Sequence, residues 1–172
     1  MNRCKWCNLK NTLYIKYHDE EYGFVHKDDE YLFEMFILES FQSGLSWECV
    51  LNKRSAFRKT YDNFDLSKVI KYDDKKVEEL LSNKDIIRNR LKINENISNA
   101  KVFKNIQEEY VSFYNYLCLF SKELIIYECD KVSNFLSDSI ALDLKRRGVK
   151  FFGTITCYSF LQAIGVINSY EK

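Results

Sequence analysis

Hydrophobic residues recur along this chain with a helical period, and sustained strict alternation is scarce. Leu13, Tyr14, Tyr17 and His18 fall on one helical face. Leu32, Met35, Phe36 and Glu39 fall on another, at the i, i+3, i+4, i+7 spacing of an amphipathic helix. Val77, Leu80 and Leu81 repeat the pattern, as do Ile140 with Leu144, and Ile155, Tyr158, Leu161 and Gly165. The pattern predicts an all-α chain of about eight helices. No internal repeat or low-complexity linker interrupts it, so one domain is expected over residues 1–172.

Helix ends are marked as well. Asp28 and Asp29 precede a predicted helix that runs to about Phe41. Ser137 and Asp138 are placed to cap a helix ending in Lys145, Arg146 and Arg147. Gly148 follows where a left-handed C-terminal residue is wanted, and Gly153-Thr154 starts the next helix. Proline is absent and glycine occurs five times, so the turns must be built largely from Asn, Asp and Ser.

Composition narrows the class. With 46% apolar residues in 172, the chain can build a core and is not disordered. No apolar run approaches the roughly 18 residues of a membrane span, and residues 1–10 lack a signal-peptide core, which points to the cytoplasm. In that compartment the six cysteines are expected as thiols or metal ligands. The net charge of +1 is uninformative, but its distribution is not. Residues 84–104 and 143–150 are basic and residues 19–34 acidic, so a local basic face is available.

Residues 137–165 read as two helices around a tight Gly-Val-Lys-Phe-Phe-Gly hairpin, a helix–hairpin–helix. The second helix offers unpaired amides at its N-terminus, and Lys145, Arg146, Arg147 and Lys150 lie nearby. Such a unit grips a phosphate backbone without reading sequence. An ordinary αα-turn with a basic rim accounts for the segment equally well.

Glu39 lies on the apolar stripe of a helix that is apolar almost all round, so burial is expected. A buried carboxyl needs partners or shifts its pKa upward, and such groups are enriched at functional sites. Trp47 follows within one loop, and Tyr17, Tyr22 and Trp6 could add ring surface. A carboxylate beside electron-rich rings suits a flat cation, each ring contributing roughly 0.5–2 kcal/mol. Core packing is the plainer account of each ring taken alone.

The segments RCKW (3–6), YIKYHDEEYG (14–23), LFEMFILESFQSGLSW (32–47), IIRNRLKI (86–93) and KRRGVKFFGTITCYSFLQAIG (145–165) resemble, in order and spacing, 3-methyladenine DNA glycosylase I. The resemblance covers nearly the whole chain. It implies a helix–hairpin–helix DNA glycosylase fold and a monofunctional base-excision repair enzyme without a lyase step. Such an enzyme hydrolyses the N-glycosyl bond of 3-methyladenine flipped out of double-stranded alkylated DNA. By the same resemblance Glu39 and Tyr17 would hydrogen-bond the flipped base, Trp47 would stack on it, and Trp6 and Tyr22 would wall the pocket. Tyr22 stands where the family often has tryptophan. Leu45 would fill the gap left by the base, and Arg147, Gly148, Lys150, Gly153 and Thr154 would hold the DNA backbone. A monomer is expected. No carboxylate lies between Gly148 and Glu171, where larger relatives of the superfamily carry a catalytic aspartate.

The resemblance also implies a structural zinc held by both ends of the chain. Cys4 and His18 match the first pair of ligands, but Tyr170 stands where a histidine would fall and no cysteine follows Cys157. Structural zinc is almost always four-coordinate, so this half set does not complete a site unless Cys7 and His26 or an acid join it. No cofactor is expected for the chemistry itself. Two competing readings are a helix–hairpin–helix protein that binds DNA without cleaving, and a helical scaffold with no nucleic acid partner.

Overall fold

Asn, Asp and Ser start nearly every helix. The computed structural model describes residues 3–121 and 125–170, so both ends of the expected 1–172 domain lie outside the described residues. Among these are nine α-helices: α1 (Thr12–Glu20), α2 (Asp29–Gln42), α3 (Trp47–Thr60), α4 (Leu66–Val69), α5 (Asp74–Ser82), α6 (Arg90–Tyr110), α7 (Phe113–Leu117), α8 (Phe135–Arg146) and α9 (Thr154–Ala163). In eight of them the N-cap is Asn11, Asp28, Ser46, Asp65, Asp73, Asn89, Ser112 or Asn134, and its side chain accepts a backbone N–H. Each such cap is worth about 1 kcal/mol. The ninth cap, Gly153, makes no side-chain bond and leaves the first amides of α9 open.

Helix α2 is the hub. Every residue from Leu32 to Phe41 is buried, and the helix packs on α3, α6, α7 and α9. A helix apolar all round can only be buried, which is why its sequence shows little amphipathic contrast. Its first-turn Asp29 carboxylate accepts from the Phe113 amide at 2.9 Å and the Gln107 amide at 2.6 Å, fixing the α6–α7 turn over its N-terminus. Phe36, Phe103, Phe113, Phe152 and Phe160 meet in the middle, with Phe36 and Phe152 centroids 4.4 Å apart. Arg54 of α3, itself buried, pairs with Glu34 of α2 and Glu21 after α1, both at 2.8 Å.

The helix–hairpin–helix is present, with its start corrected. Helix α8 begins at Phe135, two residues before the expected cap, and is capped by Asn134 in a capping box with Ser137. The Asn134 side chain satisfies the Ser137 amide and the Ser137 hydroxyl returns to the Asn134 amide, a reciprocal pair that Ser137 and Asp138 could not make. Gly148 takes φ +99° at the end of α8 as expected. Leu13 and Ile155 lie on the predicted apolar faces yet are half exposed, because nothing packs over the outer edges of α1 and α9. The segment after Glu108 held little signal; it contains α7 and a two-residue strand β1 (Ile126–Tyr127) that pairs in parallel with β2 (Ile167–Asn168).

Candidate functional site

Helix α1 presents Tyr14 and Tyr17, the end of α2 presents Glu39 and Gln42, α3 opens with Trp47, and α9 presents Ser159 and Gln162. With Trp6 and Tyr22 these side chains line one cavity of about 180 Å³. The three residues on which the sequence reading depended most, Tyr17, Glu39 and Trp47, therefore meet in one place. The cavity is walled by rings: Tyr17 and Trp47 centroids lie 5.2 Å apart, and Trp6 meets Tyr22 edge-on at 4.7 Å and Tyr14 at 5.4 Å.

Glu39 is the one carboxyl among the residues of that wall. It is 3% exposed, and its Oε2 has no hydrogen-bond partner. Burial, with nothing to compensate it, pushes its carboxyl up to about 8. The indole Nε1 of Trp47 is likewise buried and unpartnered. An unmade bond to a buried polar group costs roughly 1–3 kcal/mol, so one acceptor and one donor left open in the same cavity mark a place where a ligand supplies the missing partners. Burial also raises the phenol of Tyr17, with the nearby Tyr31 and Glu39 adding to the effect, so it stays a hydrogen-bond donor.

Sequence reasoning missed Tyr14, Gln42, Ser159 and Gln162. The first two were within reach, since each lies one helical turn from a named residue. The other two were hidden because α9 was read as the second arm of the hairpin. Gln162 donates to Ser169 at 2.8 Å and to the Tyr22 hydroxyl at 3.4 Å, so it holds the wall at the position where a tryptophan was expected.

The residues expected to face DNA lie outside this cavity. Leu45 is exposed on the Gly44 turn, between Gln42 and Trp47 of the cavity wall. Gly148, Lys150, Gly153 and Thr154 line a second, open groove of about 790 Å³ along the hairpin. The Thr154 hydroxyl is engaged by Asp138 and Ser137. Arg147 is taken up internally: its guanidinium bonds Asp143 at 2.7 Å, Glu109 at 2.6 Å and the Tyr110 hydroxyl at 3.1 Å, over the rings of Tyr110 and Tyr116. It braces the hairpin, while Lys145, Arg146 and Lys150 are the exposed cations of the stretch.

The implied zinc does not fit these residues. The His18 Nε2 accepts the Cys4 amide at 3.2 Å, which leaves Nδ1 to donate to Asp19 at 2.9 Å, so neither nitrogen offers a lone pair to a metal. The Cys7 thiol faces the Tyr14 carbonyl, and His26 lies apart, stacked on Tyr31 and bonded to the Glu21 carbonyl. Among the described residues no three His, Cys, Asp or Glu side chains are grouped to hold a metal ion. In place of a ligand, Tyr170 donates its hydroxyl to the His18 carbonyl.

Comparison with known proteins bears on the family. A family model described as methyladenine glycosylase matches residues 6–172. The DNA-3-methyladenine glycosylase 1 of Escherichia coli (strain K12) is 39% identical over 177 residues, covering 99% of this chain and 94% of that protein. A crystal structure of a 3-methyladenine DNA glycosylase I superposes with TM-score 0.90 at 40% identity, over 97% of this chain and 94% of the other. A tyrosine-to-phenylalanine variant of such an enzyme, in complex with 3-methyladenine, superposes with TM-score 0.93 at 27% identity, over 100% and 95%.

Proposed function

This chain belongs to the methyladenine glycosylase family, and from that premise we propose that it flips 3-methyladenine out of double-stranded alkylated DNA and releases it by hydrolysis. One observation carries the reading: a buried, unpartnered carboxyl faces a cavity walled by aromatic rings.

Methylation at N3 makes the nucleotide's adenine cationic. In the cavity the cation is met by ring faces and by Glu39, which releases its proton to solvent water as the positive charge arrives. Trp47 and Tyr17 take the two roles their positions suit, stacking for the indole and hydrogen-bond donation for the phenol. The C1′–N9 bond then breaks with its electron pair passing to N9, which neutralises the base. Water adds to the sugar cation and loses a proton. Because the leaving group is already activated, extrusion and grip are the main demands on the protein, a few kcal/mol of unstacking. Glu39 serves recognition first, and a carboxylate in this wall can also stabilise the sugar cation.

Leu45 fills the vacated stack, and the open amides at Gly153 with Lys145, Arg146 and Lys150 hold the backbone. The enzyme makes no covalent link to the sugar and so leaves an abasic site in an unbroken strand. It works as a monomer in the cytoplasm and without a metal. Among the described residues no helix is long and apolar enough to cross a membrane.

The test is base release. Duplex DNA treated with a methylating agent is incubated with the protein, and released bases are separated chromatographically. We expect 3-methyladenine, abasic sites cleaved only on later alkaline treatment, and a loss of at least tenfold in Glu39→Gln. No release, or release unchanged in that variant, would remove the basis of the proposal.

A further inference from the structure

Helix α6 carries three buried polar residues, Lys92, Asn96 and Asn99, on one face at a spacing of four and three. Nothing so far gives them a role, and a buried ammonium is an expensive residue to keep. Their partners are specific. The Lys92 ammonium donates to the carbonyl oxygens of Phe41, at 2.9 Å, and Ser43, at 2.5 Å. Those carbonyls belong to the last turn of α2 and to its C-cap, from which the Gly44 turn bearing Leu45 departs. Asn96 accepts from the hydroxyl of Ser40, the residue just before Phe41 on α2, and from the Asn99 amide at 3.4 Å. The Asn99 side chain pairs with Lys150 in the hairpin in both directions, donating to its carbonyl at 2.8 Å and accepting its N–H at 2.9 Å.

These bonds form two groups on one face of α6. Lys92 holds the end of α2 at the Leu45 turn, and an unbroken run from Ser40 of α2 through Asn96 and Asn99 reaches the hairpin backbone at Lys150. Together they tie to α6 the two features that face DNA in the proposed function, and the cavity lies between them, since Gln42 precedes the turn and α9 follows the hairpin. Polar bonds have narrow distance and angle limits, so they fix register in a way that apolar packing does not.

We propose that Lys92, Asn96 and Asn99 are positioning residues that hold the Leu45 turn in register with the hairpin, so that base extrusion and backbone grip act on the same nucleotide. This rests on the functional reading above. None of the three lines the base cavity, so the inference separates two functions: the ladder governs work on DNA and leaves affinity for the base itself unchanged.

The experiment uses the full chain and the variants Lys92→Met and Asn99→Ala. Lys92→Met keeps the volume of the stem and removes the buried charge, so it folds and decides the matter even where Asn99→Ala does not. Three quantities are measured: single-turnover excision from methylated duplex, affinity for a duplex holding an abasic-site analogue, and affinity for free 3-methyladenine by tryptophan fluorescence. We expect excision and duplex affinity to fall about tenfold while free-base affinity stays within twofold. In a Leu45→Ala background, Lys92→Met should cost less than a further threefold, because the side chain it places is gone. Excision and duplex affinity within twofold of the parent would overturn the ladder. So would a matching loss of free-base affinity, which would mean that the fold as a whole had loosened. A parent protein that releases no base defeats the functional reading instead, and duplex affinity then still reads the ladder.

Discussion

The hydroxyl of Tyr170 donates a 2.6 Å hydrogen bond to the carbonyl oxygen of His18, joining the segment after β2 to α1 across 152 residues of sequence. The Tyr170 ring also meets those of His18, at 5.1 Å, and Tyr22, at 5.6 Å, and lies against Gly23, where a Cβ would come within 2.5 Å of it. On the metal-free reading proposed above, this contact stands in for a metal tie between the two regions. A chelator should therefore leave the melting temperature unchanged, and protein purified without added zinc should contain far less than one equivalent by elemental analysis. Tyr170→Phe should lose about 1 kcal/mol, the net worth of one hydrogen bond. Stoichiometric zinc would overturn this account.

The stability of the protein should fall with rising pH because of Glu39. Burial holds its carboxyl protonated up to about 8, against an ordinary 4.5. Between those values the folded state binds the extra proton, so its contribution is fully present below pH 4.5 and is lost as pH rises through about 8. At about 1.4 kcal/mol per unit the whole span is worth at most about 5 kcal/mol. Gln at this position does not titrate. Denaturant melts at pH 5 and pH 9 should show Glu39→Gln gaining about 2–5 kcal/mol on the parent at the higher pH. Parallel pH dependences would show that Glu39 is solvated.

Stacking and hydrogen bonding in the cavity should separate by size of effect. Trp47→Ala removes a ring face worth about 1–3 kcal/mol, so affinity for free 3-methyladenine should fall about 10- to 100-fold. Tyr17→Phe keeps the ring and removes one donor, for a loss of about three- to tenfold. Isothermal calorimetry distinguishes them, and equal affinities in all three proteins would place the base elsewhere.

Gly165 should tolerate no side chain. Its φ is +76°, and a Cβ there would fall 2.1 Å from the Phe24 carbonyl oxygen, which is backbone and cannot turn aside. Gly165→Ala should cost about 3 kcal/mol or more and disturb the neighbouring bond from the His26 amide to the Ile164 carbonyl. A melting temperature within two degrees of the parent would contradict this close approach.

Much of this was legible in the sequence where local signals and tertiary demands agree. Helix α2 announces itself by its Asp28 cap and its apolar run, and the same run implied that Glu39 is buried. The left-handed Gly148 was legible because few residues other than glycine suit that conformation. What escaped depends on partners distant in sequence. Arg147 counts as a cation in any tally, yet its charge is met by Asp143 and by Glu109, 38 residues away. Lys92, Asn96 and Asn99 read as part of a basic, solvated helix face, and their hydrogen-bond partners 49 to 56 residues distant turn that face inward. Ser159 and Gln162 carry no pattern of their own beside the apolar run of α9.

The wall at Tyr22 depends on Gln162 and Ser169, close to the last described residue. On the ribosome, where the chain emerges from its N-terminus, α2, α3 and α6 can meet long before those partners exist. The cavity wall at Tyr22 can then close only after Gln162 and Ser169 have emerged. A nascent chain halted before Gln162 would hold most of the phenylalanine core and still lack that wall.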